Sequence, residues 1–460
     1  MKDLRGLHVL VVGLGASGVA ATRVLAESGA RVRISEQRRR DEVASVEELR
    51  DLEVELNAGG HEEAHLDGAR VVVTSPGVPE RAPILQAAMR RGIPVWSELE
   101  LGARLCDVPY VGITGTNGKS TTTEMVASCM RAAGIDAVAC GNIGHPFSLA
   151  AREGHQALAV EASSFQLRFH ESFHPTVSVL LNLAPDHLDW HGSMDAYRAA
   201  KARIFAMQGP GDTHVGNRDD AASAKVSKTA PCALAWFRLG PPGSGEVGFE
   251  DGVLVSRLDG ESVPLGAPSA PGAGFRADAA AAAAAASAFG LDPDCIRTGL
   301  AAVRPLPHRG QVVATAGGIR FVDDSKATNP HAALAALEGM KDVVLIAGGL
   351  AKGVDLSPLA SATPALTGAV VMGEAGAQIG ALFEDAVPVR TATSMEEAVM
   401  AAARMATAGG TVLLAPACAS QDMFHDYRER GERFAEAARR LAAERRTRAD
   451  DAGPGAFRDG

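Results

Sequence analysis

Short apolar runs recur along this 460-residue chain, each followed by an alanine-rich amphipathic stretch, and this alternation limits the fold more than any other feature. A strand buried on both faces reads as an unbroken apolar run, and the helix that returns the chain to a parallel neighbour reads as the amphipathic segment. His8–Val12 (HVLVV) reads as such a strand, residues 19–27 as a helix, 31–34 as a second strand and Val71–Thr74 as a later one. A second unit opens with Tyr110–Thr114 and continues through ALAVEASS and TVSVLLNLA, and a third starts near Gln311 and cycles through VVLIAGG, AVVMGEAG and VLLAPACAS. Residues 241–274, rich in Gly, Pro and Ser, read as a small β excursion. The eight consecutive alanines 279–286 read as a helix packed against close neighbours. The expected class is α/β in three domains, 1–107, 108–310 and 311–460, with residues from about 446 onward read as a disordered tail.

Charge and composition remove several functions. Lys and Arg number 45 against 55 Asp and Glu, a net charge of −10, so a general grip on nucleic acid is not expected. No apolar run reaches the roughly 18 residues of a membrane span. The start MKDLRGLHVLVVGLG enters a glycine turn where a signal peptide would carry a cleavage site, so a cytoplasmic protein is expected. The six cysteines lack CxxC spacing, which suggests neither a zinc site nor a disulfide framework. The informative surplus is 50 glycines, which place backbone where something must approach it closely.

Two glycine loops give that surplus a use. Gly13-Leu-Gly15-Ala-Ser17-Gly18 follows the first strand and opens a helix, so its N–H groups face a diphosphate, with Glu36 at the end of the next strand placed for a ribose hydroxyl. Alone, this loop suits a nicotinamide dehydrogenase or a merely structural turn. The second loop, Gly112-Ile-Thr-Gly115-Thr116-Asn117-Gly118-Lys119-Ser120-Thr121, again lies between strand and helix. Its N–H groups suit phosphates, Lys119 the β/γ charge and the Ser120 hydroxyl Mg²⁺, so this domain is taken as an ATP site.

Further groups stand at later strand ends: Asn142, Glu161 with Ser163 and Gln166, and Asp186-His187-Leu-Asp189. A carboxylate and a hydroxyl near a phosphate loop suit Mg²⁺. A lone histidine is usually a satisfied surface or core residue, but His187 stands at a strand end in an ATP domain. Tyr197, Lys201 and Phe205 share a helical face, which alone reads as a buried lysine stem with its ammonium reaching solvent. In the third unit, Asp324-Ser-Lys326-Ala-Thr328-Asn329, Lys352 and Ser420 all follow strands, where open α/β sheets bind ligands. Each alone reads as a solvated residue; together they favour an anionic substrate.

The run GITGTNGKST resembles the nucleotide loop of the Mur ligases, ATP-dependent amide-forming enzymes of peptidoglycan precursor synthesis, and the downstream groups are similar as well. The resemblance implies a Rossmann-like N-terminal domain, a P-loop-type central ATPase domain with a parallel sheet, and a Rossmann-like C-terminal domain. It implies two Mg²⁺, with Ser120 and Glu161 at the first and His187 at the second. Lys201 would be carbamylated and help place the second. Gly115–Thr121, Arg309 of the His308-Arg309 pair and Asp324 would serve ATP, with Asn142 and Lys326 near the reacting groups.

The DSKATN and ACAS segments are most similar to family members that add D-glutamate, which would meet Thr328, Lys352, Ser420 and Tyr427. The GxGxxG loop then becomes a UDP-sugar site, with Gly15, Ser17, Glu36, Gln37, Ser75, Gly77, Asn142, Ser163 and Gln166 as contacts. The implied partners are UDP-N-acetylmuramoyl-L-alanine, D-glutamate and ATP, handled by a monomer without nucleic acid or membrane insertion. The chain departs from the family at residues 274–278 (GFRAD) beside the adenine, at Gln311 and at Trp190. Another Mur-type ligase with a different amino acid or muropeptide substrate, and less favourably an NAD-binding dehydrogenase, stand as alternatives.

Overall fold

A computed structural model of the chain describes residues 4–270 and 272–451, which build three sheets. The first contains β1 (His8–Val12), β2 (Arg31–Glu36), β3 (Val54–Ala58), β4 (Val71–Thr74) and β5 (Val95–Ser97), all parallel, in the order β3-β2-β1-β4-β5. Strand order reverses between β1 and β4, so the loops leaving these two strands diverge and open a crevice. Gly13 ends β1 at φ +87°, and the helix Ala16–Glu27 packs so tightly that a Cβ on Gly18 would lie 2.0 Å from the Gly13 carbonyl oxygen. This helix starts three residues earlier than the apolar spacing indicates, because its small, polar first turn carries no periodic signal.

The second sheet holds β6 (Tyr110–Thr114), β7 (Ala137–Gly141), β8 (Ala157–Glu161), β9 (Val177–Leu180), β10 (Thr213–Asn217), β11 (Ala233–Phe237), β12 (Glu246–Glu250), β13 (Val253–Ser256) and β14 (Val263–Gly266). Their order is β14-β13-β12-β11-β10-β9-β6-β8-β7, with only the pairs β12–β13 and β13–β14 antiparallel, so the expected β excursion extends this sheet as a meander. β6 lies at a second switch point, between β9 and β8. All eight alanines 279–286 are buried, on the helix Ala273–Ala288, in one cluster with Met125, Val126 and Cys129. Methyl side chains let this helix backbone lie close to its neighbours at no cost in side-chain entropy.

The third sheet holds β15 (Gln311–Ala316), β16 (Ile319–Asp323), β17 (Val343–Gly348), β18 (Leu366–Met372), β19 (Val389–Thr391) and β20 (Thr411–Leu414), in the order β15-β16-β20-β17-β18-β19. Only β15 runs antiparallel to its neighbour. The chain divides into two compact units. One carries the first two sheets and includes residues 4–183, the chain from Trp190 through the meander, and Phe275–Arg304. The other consists of Ala184–Asp189, Gly272–Gly274 and residues 305–451. The helix Tyr427–Asp451 continues into the stretch read from sequence as a tail, because the strong helix formers LAAERR (441–446) lead into it; residues 452–460 lie outside the described residues.

Gly431 sits inside that helix, where glycine normally costs about 1 kcal/mol relative to alanine. Here a Cβ would stand 2.2 Å from His308 Nδ1 and 2.8 Å from Asp323 Oδ2, two atoms that bond each other at 2.7 Å. Gly431→Ala is therefore expected to destabilise the protein by about 1–3 kcal/mol despite its helix propensity, the range for overpacking, read as a lower midpoint in thermal denaturation.

Candidate active site

At the first switch point, a cleft of about 550 Å³ is lined by Gly13, Gly15, Ser17, Glu36, Gln37, Ser75 and Gly77, together with Asn142 and Gly144 of the central domain. Six of the nine residues read from sequence as UDP-sugar contacts, with Asn142 as a seventh, therefore meet in one cavity. Ser75 Oγ donates to the Gly13 carbonyl at 2.8 Å, tying the two loops together. Glu36 does not present a free carboxylate: Oε2 accepts from the Leu14 N–H at 2.6 Å, and both oxygens accept from Arg38. Burial alone would raise the Glu36 carboxyl, but the Arg38 and Leu14 hydrogen bonds outweigh it and hold it at about 2. A depressed carboxylate contributes stability in full above its unfolded value near 4.5 and loses it only as pH falls towards 2, so this pair persists across any working pH.

Ser163 and Gln166 are not among the residues that line this cavity. They form the capping box of the helix Ser164–Arg168, with Gln166 Oε1 accepting from Ser163 N and Oγ at 3.0 Å each. Gln166 Nε2 lies 3.4 Å from Glu98 Oε2, and Gln166 is fully buried. These bonds give the two residues a role as a helix cap, and Gln166 also lines a small hollow with Ser75 and Pro76 of the cleft.

The second loop leaves β6 and turns at Gly118 (φ +84°) into the helix Lys119–Ala132. A Cβ at Gly118 would stand 2.1 Å from Asp278 Oδ1, so the departing segment 274–278 reaches the loop through Asp278, while Arg276 lies 4.2 Å over the Phe249 ring. Asn182 clamps the loop: its Oδ1 accepts from the Asn117 N–H at 2.8 Å and its Nδ2 donates to the Asn117 carbonyl at 3.2 Å. Lys119 Nζ folds back to the carbonyls of Gly115 (3.0 Å) and Thr116 (2.8 Å). Lys201 Nζ donates to the same Gly115 carbonyl at 2.7 Å and lies 4.7 Å over the Tyr197 ring, whose hydroxyl is 3.1 Å from Thr116 Oγ1. Lys201 is buried, which corrects the reading of an ammonium that reaches solvent.

Glu161, at the end of β8, is also buried; its Oε1 accepts from Asn142 Nδ2 at 3.1 Å. Its Oε2 is buried and, among the described residues, has no hydrogen-bond partner. An orphaned buried carboxylate oxygen is costly unless a cation completes it, so Glu161 fits a hard divalent metal such as Mg²⁺. His187 lies in the other unit, at φ +53°, with its N–H donating to Asp186 Oδ1 at 2.9 Å. Asn329 Nδ2 reaches Asp186 Oδ2 at 3.3 Å.

In the third sheet the predicted loops are bonded to one another. Leu350 and Ala419 exchange both backbone hydrogen bonds, and Ala417 N donates to the Ala327 carbonyl at 2.9 Å, joining the Lys352, Ser420 and Thr328 loops. Buried Arg430 donates to Ser325 Oγ (3.0 Å), the Ser325 carbonyl (2.9 Å) and the Cys418 carbonyl (3.1 Å); nothing in the periodicity of its helix marks it, and sequence reading missed it. Lys326 Nζ stands 3.8 Å over the Tyr427 ring. Lys352 takes φ +53°, in the left-handed region that side chains rarely adopt. Desolvation raises the Asp324 carboxyl to about 7 with Asp323 adding repulsion, against the pull of Arg309 and the Gly310 N–H.

Comparison with known proteins agrees with this geometry. Residues 7–97 match the Mur ligase MurD-like N-terminal domain, 113–237 the Mur ligase middle domain and 308–418 the Mur ligase glutamate ligase domain. The chain is 46% identical to a UDP-N-acetylmuramoylalanine--D-glutamate ligase of Frankia casuarinae, covering 94% of each chain. It is 42% identical to the protein of the same name from Streptomyces coelicolor, covering 96% of this chain and 100% of that one. Among solved structures, UDP-N-acetylmuramate-alanine ligase of Thermotoga maritima shares the fold with a TM-score of 0.59 at 18% identity, covering 96% of this chain and 100% of that one.

Proposed function

The chain belongs to the Mur ligase family, and from that premise we propose that it joins D-glutamate to UDP-N-acetylmuramoyl-L-alanine at the expense of ATP. The observation that carries this reading is similarity over 94% of the chain to an enzyme whose name states that substrate pair. The three domains, divided near residues 107 and 310, supply the UDP-sugar, ATP and amino-acid sites. The L-alanyl carboxylate attacks the γ-phosphoryl group of ATP, releasing ADP; the D-glutamate amine displaces phosphate from the acyl phosphate and forms the amide. Activation comes from ATP, so the residues position anions and offset charge, and no enzyme nucleophile is required.

Lys119 and the N–H groups of Gly115–Thr121 meet the ATP phosphates, supported by Arg309 and Asp324 towards the nucleotide. Mg²⁺ would be held by Ser120 and Glu161, where it supplies charge compensation for the phosphates. The resemblance assigns His187 and Lys201 to a second Mg²⁺, which Lys201 would help hold as a carbamate once its amine has added CO₂ and lost a proton. Burial beside the phosphate loop favours that modification, since a carbamate offers oxygens where an ammonium would repel metal. Lys352, Thr328, Ser420 and Tyr427 hold D-glutamate, whose two carboxylates suit a lysine and hydroxyls on joined loops, and Lys326 stands near the reacting groups. Among the described residues no helix is long and apolar enough to cross a membrane.

A phosphate-release assay with UDP-N-acetylmuramoyl-L-alanine and a panel of amino acids tests this reading. D-Glutamate alone is expected to support turnover; equal turnover with L-alanine or meso-diaminopimelate overturns it. Lys352→Ala is expected to raise the D-glutamate KM by about tenfold or more through loss of a charged hydrogen bond, with the UDP-substrate KM unchanged.

A further inference from the structure

The cleft of the first domain is also lined by His61, half-buried and outside any motif. Its Nδ1 lies 2.8 Å from the hydroxyl of Ser35, itself fully buried in β2, and the same hydroxyl lies 2.9 Å from His65 Nδ1. One hydroxyl with one proton therefore joins two imidazoles. His65 Nδ1 also accepts the Glu62 N–H at 3.4 Å, as the cap of the short helical turn Glu63–Leu66. Its Nδ1 is accordingly bare, and the Ser35 hydroxyl must donate to it; the opposite choice would set two lone pairs against each other at 2.9 Å. Ser35 Oγ is then left to accept, so His61 carries its proton on Nδ1. The consequence is a bare Nε2 on a cleft-lining ring, with no hydrogen bond to it among the described residues.

We propose that His61 is a specificity-determining residue whose Nε2 accepts a hydrogen bond from an N–H or O–H of the substrate's nucleoside, its tautomer fixed by the Ser35–His65 relay. This rests on the reading of the cleft as the UDP-sugar site. The groups around it agree with a neutral acceptor: Glu36 is neutralised by Arg38, His65 is the bare-nitrogen partner, Glu62 turns its backbone N–H to that partner, and Asn142 brings no charge from the central domain. Burial lowers the His61 pKa, with Glu36 opposing and His65 adding to the fall. A protonated His61 would have no acceptor left to offer and would add a cation to the cleft that Arg38 also lines.

Calorimetric titration of the full-length protein with UDP, and steady-state kinetics with UDP-N-acetylmuramoyl-L-alanine between pH 5.5 and 8.5, test the assignment. His61→Phe should weaken UDP binding and raise the UDP-substrate KM by about three- to tenfold at pH 8, with the D-glutamate KM unmoved. Wild-type KM should rise towards acid pH, and that rise should vanish in His61→Phe. Ser35→Ala, which frees the tautomer, should give an intermediate KM. Weakened binding of 3-methyl-UDP assigns the uracil imide N–H as the donor, and weakened binding of 2′-deoxy-UDP the ribose hydroxyl. A KM that falls towards acid pH would mean that His61 faces phosphate, and overturns the proposal, as does a wild-type KM in His61→Phe. Failure of the wild-type protein to turn over the UDP substrate would instead overturn the parent reading.

Discussion

Lys119→Ala is expected to reduce kcat by about 10²–10³ while the protein keeps its fold, the loss seen when one preorganised charge-stabilising group is removed. Phosphoryl transfer needs little from the protein beyond position and charge, so a cation at the β/γ-phosphates outweighs any other single side chain of the loop. Lys119 is held ready: its ammonium bonds the carbonyls of Gly115 and Thr116, the loop is clamped by Asn182, and Gly118 turns the chain into the helix behind it. Alanine is a good helix former at the first helical position, so stability should change little. Phosphate release at saturating ATP, with a thermal melt as the control for folding, decides the matter. Wild-type kcat in this variant would remove Lys119 from the site.

The reach of sequence reading differs between backbone-defined and side-chain-defined features. The turn of the Gly112–Gly118 loop was legible because glycine spacing between a strand and a helix fixes where the chain must turn, and the structure turns at Gly118 as that spacing demands. The cleft residues were legible for the same reason: Gly15, Ser17, Ser75 and Gly77 all follow parallel strands at a switch point. At Glu36 the position at a strand end says nothing about the arginine two residues later that bonds its carboxylate. The same holds at Gln166: SSFQ follows a strand, and the helix cap that Ser163 and Gln166 form with each other was not read from it. Arg430 and the Ser35–His61–His65 relay were invisible, since each depends on atoms that meet only once distant segments pack. Lys201 lay between these cases, its helical face readable but the carbonyl above its ammonium not.

Glu161→Gln is expected to move stability and metal binding in opposite directions. The native carboxylate is buried with Oε1 bonded to Asn142 and Oε2 unpartnered, an arrangement that costs folding energy unless a cation is present. Glutamine has the same shape and keeps an acceptor for Asn142, but replaces the anionic oxygen with an N–H₂ group that cannot bind metal. Without Mg²⁺ the variant should melt at the same temperature as wild type or higher. With saturating Mg²⁺ and ADP the order should reverse, because only the wild type gains from a ligand that binds the folded state. The Mg²⁺ concentration for half-maximal phosphate release should rise by at least about tenfold, in line with the sensitivity of metal sites even to their outer partners. A purely structural role for Glu161 predicts a variant less stable in both conditions with unchanged Mg²⁺ dependence, so the paired melts separate the two accounts even if turnover is lost.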